Sequence, residues 1–239
     1  MPRGVFVVLE GVDRCGKSTQ AQLLYDHIKA KSAVLMLRFP NRQTATGKVI
    51  DDYLNKRIEL NDRAVHLLYA ANRWEASDSI VKALDQGMTV VVDRYSFSGV
   101  AFSCAKGLDY EWCWAPERGL PAPDVVIYLD LPADEAKTRN GYGEERYEVA
   151  EFQAKVRTAF KPLSSQWKIL RADQSKEDLH REIVKLVTET TQSVKDKPIH
   201  YFYYSSSKMV LTTRSTRPHV ASEATHERLL TCLRTSSRR

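Results

Sequence analysis

The 239-residue chain has no apolar run long enough to span a bilayer, which argues against a helical membrane anchor. Its first residues, Met1-Pro-Arg-Gly-Val5, lack the apolar core of a secretion signal and lead straight into a β-branched run. They are also too short and too poor in Arg and Ser for a mitochondrial presequence, so cytosol or nucleus is the expected compartment. The four cysteines, Cys15, Cys104, Cys113 and Cys232, form no C-x-x-C pair. The usual zinc and dithiol motifs are therefore missing, and a reducing compartment suits these thiols. There is no internal repeat. Nor is there a broad charge excess. Past Pro198, Lys208, Arg214, Arg217, Arg228, Arg234, Arg238 and Arg239 stand against only Glu223 and Glu227. This stretch carries +5 of the net +6, so everything before it is close to neutral. Nucleic-acid binding by the body of the chain loses its main support, and only the basic tail keeps it open.

What the chain does have is Gly11-Val-Asp-Arg-Cys-Gly16-Lys17-Ser18, followed by Thr19. It fits G-x-x-x-x-G-K-[ST] without a mismatch. Val5 to Leu9 ahead of it reads as a buried strand, and Thr19 to Lys31 behind it as an amphipathic helix. Strand, glycine loop and helix form the context of a phosphate-binding loop. Gly11 and Gly16 let the backbone curl so that successive N–H groups point into one concavity at a helix N-terminus. Asp13, Arg14 and Cys15 lie within the loop. Lys17 is placed to reach nucleotide phosphates, and the Ser18 hydroxyl to ligate Mg²⁺.

Further strands are expected at Ala33–Leu37, Met88–Val92, Val125–Leu129 and, more weakly, Trp167–Leu170. Helices are expected near 47–56, from Asn61-Asp62 through Trp74, over 78–85 closing at Gly87, over 133–138, 149–163 and 176–193. Met88-Thr-Val-Val-Val92 has no polar alternation, which suits a parallel strand covered on both faces. Strands alternating with helices imply right-handed crossovers. The fold class is α/β: a P-loop NTPase fold with a five-stranded parallel sheet and helices on both faces. Residues 1–198 form this domain, with a polar lid at about 139–147. Residues 199–239, including the aromatic His200–Tyr204, read as a disordered tail that buries too little to offset its ordering entropy.

Asn55-Lys-Arg-Ile58 lacks the final Asp of the guanine-reading N-K-x-D, so a switch-type G protein is not indicated. Asp93 ends an apolar strand, where a second Mg²⁺-holding acid belongs. Arg42, Arg73, Arg94, Arg139 and Arg146 recur at element ends that an open sheet gathers at one crevice. Planar guanidinium groups suit a polyphosphate and a second phosphate together.

Five segments, Gly11–Thr19, Arg38-Phe39-Pro40-Asn-Arg42, Tyr69–Glu75, Asp93–Phe102 and Glu145–Glu148, together resemble the thymidylate kinase family, most closely its animal members, from about residue 3 to Pro198. The resemblance implies transfer of phosphate from ATP to dTMP, giving ADP and dTDP. It makes Asp13 the acceptor for the sugar 3′-hydroxyl and a partner of Arg94. It makes Arg42 and Arg94 the grip on the acceptor phosphate, and Arg73 the donor to the thymine carbonyl. Phe39, Tyr69 and Phe102 wall the base, and Tyr147 joins them as a substrate residue. Tyr69 stands where the family is expected to carry Phe. Arg14 supplies the extra cation toward the γ-phosphate, while Arg139 lies against adenine. Mg²⁺ is the implied cofactor, held at Ser18 and Asp93, and a homodimer through the 47–85 helices is the implied assembly. Two departures stand out. Asn41 replaces an acid, and the chain runs on past the Lys-Pro sequence near which animal members end. Two alternatives stay open: a related P-loop kinase with another nucleoside or nucleotide acceptor, and a nucleotide-binding protein without catalysis.

Overall fold

The computed structural model describes residues 2–132, 135, 145–205 and 208–213. The expected lid residue Arg139, most of the expected 133–138 helix and residues 214–239 lie outside them.

Five parallel strands lie in the order β2-β3-β1-β4-β5. They are β1 (Phe6–Glu10), β2 (Val34–Arg38), β3 (Thr89–Asp93), β4 (Val125–Asp130) and β5 (Lys168–Arg171). β1 is central, in register with Val90–Asp93 on one side and Val125–Tyr128 on the other. Alternate residues of β1 supply two cores. Phe6 and Val8 pack with Ile80, Leu84, Val100 and Phe160. Val7 and Leu9 pack with Ala21, Leu24, Ile183 and Val187. Both faces of β1 and β3 are covered, which is why their sequences are apolar throughout rather than alternating.

Among the described residues the helices are α1 (Lys17–Lys29), α2 (Ala45–Leu54), α3 (Asp62–Asp85), α4 (Ser96–Ala105), α5 (Tyr110–Trp114), α6 (Ala150–Phe160) and α7 (Lys176–Val194). The two helical pieces expected over 61–85 are one continuous α3, because neither Gly nor Pro interrupts residues 62–85. The Asn61 side chain caps it by accepting from the Arg63 N–H, and Gly87 at φ 78° closes it. α6 stops at Phe160 rather than Leu163, since Pro162 turns the chain into a 3-10 segment.

The expectation of a disordered tail needs correction over residues 199–205 and 208–213. His200–Ser205 form β6, paired antiparallel with β7 (Lys208–Thr213). β6 hydrogen-bonds the 119–122 loop through Gly119 N–H to Phe202 O, Phe202 N–H to Leu120 O and Ala122 N–H to His200 O. Tyr201 and Phe202 are buried, with Phe202 against Trp114 and Phe97 at 5.4 and 5.6 Å. Aromatic burial therefore offsets the ordering cost up to this point.

Candidate active site

The site forms at the carboxyl ends of β1, β2 and β3, the edge where an open parallel sheet leaves a crevice. β1 runs into the loop through Gly11 at φ 145°, where a side chain would collide with Cys15 Sγ and the Leu129 carbonyl, each 2.7 Å away. Gly16 at φ 100° starts α1 without a side-chain cap. The first-turn N–H groups are thus left to serve an anion. Arg14, at φ 62°, donates from Nε to Glu148. Lys17 is buried, its Nζ 2.6 Å from the Val12 carbonyl. Arg14, Gly16, Lys17, Ser18 and Thr19 line one cavity. The Cys15 side chain does not line it; it packs beneath the loop, within 3.4 Å of Lys17 Nζ.

Asp93 ends β3 beside this loop. Its Oδ2 accepts the Ser18 hydroxyl at 2.5 Å and lies 3.6 Å from Arg38 Nε. Its Oδ1 is buried without a protein partner among the described residues.

A second cavity opens next to the first and shares Asp13, Arg38, Arg94 and Glu145 with it. Arg94, at φ 66°, donates to Asp13 Oδ1 at 2.5 Å, the Gly11 carbonyl at 3.1 Å and Ser98 Oγ at 3.0 Å. Its guanidinium also lies 5.3 Å from the Phe102 ring. Asp13 is fixed from its other side by Gln153, which donates to Oδ2. Arg42 reaches this cavity between Asp51 and Glu145. Phe39, Tyr69, Arg73, Phe102 and Tyr147 complete its wall. Tyr147 stacks on Phe152 at 5.2 Å, and its hydroxyl accepts from Lys106. Burial pushes the Tyr69 phenol up, so the ring stays neutral.

Arg146 does not join this crevice. Its guanidinium lies 4.1 Å from the Tyr53 ring and pairs with Glu59, so it ties its loop to the end of α2.

Three carboxylates do work that the sequence reading leaves unassigned. Glu10 accepts the Tyr95 and Ser98 N–H groups and the Ser98 hydroxyl, capping α4. Burial pushes its carboxyl up, and the Ser98 hydrogen bond and Arg94 charge pull it back. Glu117, fully buried, takes both Nε and Nη2 of buried Arg73. Glu148 holds Arg14. Gly99 gives Arg73 its room, since a Cβ there would lie 2.6 Å from Nη2. Glu10 carries a readable signal, the same carboxylate-ended apolar strand as Asp93. Glu117 carries none, since its partner is 44 residues away with no periodic pattern between them. Glu117→Gln is expected to leave a buried cation uncompensated and to destabilise the fold by about 3 kcal/mol. An unchanged urea midpoint would contradict that.

The thymidylate kinase family profile matches residues 9–183. The Schizosaccharomyces pombe thymidylate kinase is 50% identical over 194 residues, covering 78% of this chain and 92% of that protein. The Homo sapiens thymidylate kinase is 43% identical over 203 residues, covering 82% and 96%. The solved thymidylate kinase of Candida albicans superposes with a TM-score of 0.74 at 32% identity, over 89% of this chain and all of the other. The chain belongs to the thymidylate kinase family.

Proposed function

We infer that this chain transfers the γ-phosphoryl group of ATP to the 5′-phosphate of dTMP, releasing ADP and dTDP. One observation carries the reading: the phosphate-loop cavity and the aromatic, arginine-lined cavity abut, with Arg94 and Asp13 common to both. A donor phosphate in the first and an acceptor phosphate in the second would meet at Arg94. Lys17 and the loop N–H groups hold the donor phosphates. Arg14 stands at the loop's outer wall, where it offsets charge on the transferring group. Arg42 and Arg94 hold the acceptor phosphate, and Asp13, kept in place by Gln153, accepts the sugar 3′-hydroxyl. Phe39, Tyr69 and Phe102 enclose the flat base, and Arg73 donates to its carbonyl. No strong general base is needed, because the acceptor oxygen is already anionic. The direct test is dTDP formation from ATP and dTMP by the full chain, followed by ion-exchange chromatography. Intact ATP and dTMP after exhaustive incubation would overturn the reading.

Mg²⁺ fits the residues present. A buried carboxylate oxygen without a partner is costly, and Asp93 Oδ1 beside the Ser18 hydroxyl offers hard oxygen donors that this cation prefers. Bound there with nucleotide phosphates, it would neutralise charge on the transferring group. Asp93→Asn is expected to cut kcat by about 10²-fold and raise the Mg²⁺ concentration needed for half-maximal rate. A wild-type Mg²⁺ dependence in that variant would remove Asp93 from the role.

We also propose a homodimer through α2 and α3, which carry the exposed Val49, Leu67 and Trp74. Sedimentation at micromolar concentration is expected to give a dimer; a clean monomer would reject it.

A further inference from the structure

Two thiols that take no part in the reaction described above meet at the C-terminal end of α4. Cys104 belongs to its last turn, and Cys113 to α5. The link between the helices is tightly folded. The Gly107 N–H donates to the Cys104 carbonyl at 2.9 Å, and the Cys113 N–H to the Asp109 carbonyl at 3.0 Å. Buried His66 ties the two helices together, with Nδ1 2.7 Å from Ser103 Oγ and Nε2 2.9 Å from the Cys113 carbonyl oxygen. Cys104 packs onto the core cluster that contains Cys113, and the Cys113 thiol donates a hydrogen bond to the Cys104 sulfur.

The two thiols are not equivalent. Cys113 is fully buried. Cys104 is half-buried and lines a shallow groove between α4 and α6, beside Lys155 and Thr158. A small polar reagent therefore reaches Cys104 first. The hydrogen bond from Cys113 holds the Cys104 thiol below its ordinary pKa, against burial and the Asp109 carboxylate, which raise it. The same hydrogen bond keeps the proton on Cys113. Thiolate character and access together mark a cysteine open to oxidation, here with a second thiol in reach to resolve it.

We propose that Cys104 and Cys113 form an oxidation site for hydroperoxides, closing into a disulfide that shifts the wall of the acceptor cavity. The Cys104 thiolate attacks one peroxide oxygen. An S–O bond forms, the O–O bond breaks, and the other oxygen leaves as hydroxide or alkoxide, to be protonated by the solvent that took the Cys104 proton. The Cys113 sulfur then attacks the Cys104 sulfur. The S–S bond forms, the S–O bond breaks, and the departing hydroxide takes the Cys113 proton and leaves as water. Two thiols together lose two electrons and two protons, and the peroxide is reduced to water, or to water and an alcohol. A dithiol reverses the bond by exchange. Phe102 and Ser103, which directly precede Cys104, line the acceptor cavity. Bonding the two sulfurs draws the last turn of α4 toward α5 and moves that wall. This effect on turnover rests on the dTMP reading above, whereas formation of the disulfide does not.

The test treats the full chain with hydrogen peroxide, blocks the remaining thiols with iodoacetamide and digests the product with trypsin. Cleavage after Arg94, Lys106 and Arg118 puts the two cysteines in separate peptides, 95–106 and 107–118. These are expected as one linked pair, lighter than their sum by the lost pair of hydrogens and separated by dithiothreitol. Two alkylated peptides after treatment with excess peroxide would overturn the proposal. In Cys113→Ser, peroxide with dimedone present is expected to leave Cys104 trapped as its sulfenic acid adduct, and an untouched Cys104 would overturn its assignment as the attacking thiol. Oxidation of the unsubstituted chain is expected to raise KM for dTMP about tenfold, with no such rise in Cys104→Ser. An unchanged KM in the fully linked chain would overturn the coupling to the acceptor wall. Absence of dTMP turnover in the reduced, unsubstituted chain would instead defeat the underlying dTMP reading and leave the linked pair standing.

Discussion

Replacing Arg94 with Met is expected to lower kcat/KM for dTMP by about 10³-fold, or about 4 kcal/mol of transition-state stabilisation. The size follows from position. Arg94 is the one arginine, besides the more exposed Arg38, that both cavities share among the described residues. Its backbone at φ 66° turns the side chain back over the phosphate loop, where it spans Gly11, Asp13 and Ser98. In the proposed reaction a cation there would face both the group being transferred and the oxygen that receives it. Arginines in that role are worth about 10³ to 10⁵ in rate. Arg94→Lys keeps the charge but not the fork, and is expected to recover only part of the loss. Circular dichroism should show both variants folded, since Gln153 still holds Asp13. A loss below tenfold in Arg94→Met would show that the acceptor phosphate lies elsewhere.

Ending the chain after Pro198 is expected to destabilise it by more than about 5 kcal/mol, enough to unfold many domains of this kind. That cut removes the buried Ile199, Tyr201 and Phe202. It also removes the three backbone hydrogen bonds to the 119–122 loop. The same loop follows Glu117, so the Arg73 pair would loosen with it. A cut after Ser205 keeps these contacts and is expected to leave melting temperature and turnover within error of the full chain. A Pro198 truncation that melts within 2 °C of the full chain, about 1 kcal/mol or less at this length, would contradict the assignment of β6 to the core.

The boundary at 198 shows where sequence reasoning stops. Composition past Pro198 is polar and basic, and Tyr201 and Phe202 are buried side by side, so neither a period of two nor of 3.6 marks them. Their burial comes from a loop some eighty residues earlier in the chain. The phosphate loop is the opposite case. Its glycines, lysine and serine sit at spacings set by local backbone geometry, so the fold around it follows from adjacent residues. Asp93 is legible for a related reason, since a buried parallel strand delivers its last residue to the crevice. Arg146 is adjacent in sequence to Glu145 and Tyr147, which both line the acceptor cavity, yet it turns to Tyr53 and Glu59. Membership of a motif places the backbone and leaves the side chain to whatever partners the fold brings near.

The most direct test of the account is the choice of acceptor. ADP and product formation should be followed with ATP, Mg²⁺ and either dTMP or deoxythymidine, at equal concentration. Arg42 and Arg94 hold a phosphate in this account, so dTMP should be converted to dTDP while deoxythymidine stays unphosphorylated. Comparable turnover of the two would mean that the paired arginines do not grip an acceptor phosphate, and the assignment of the second cavity would fall.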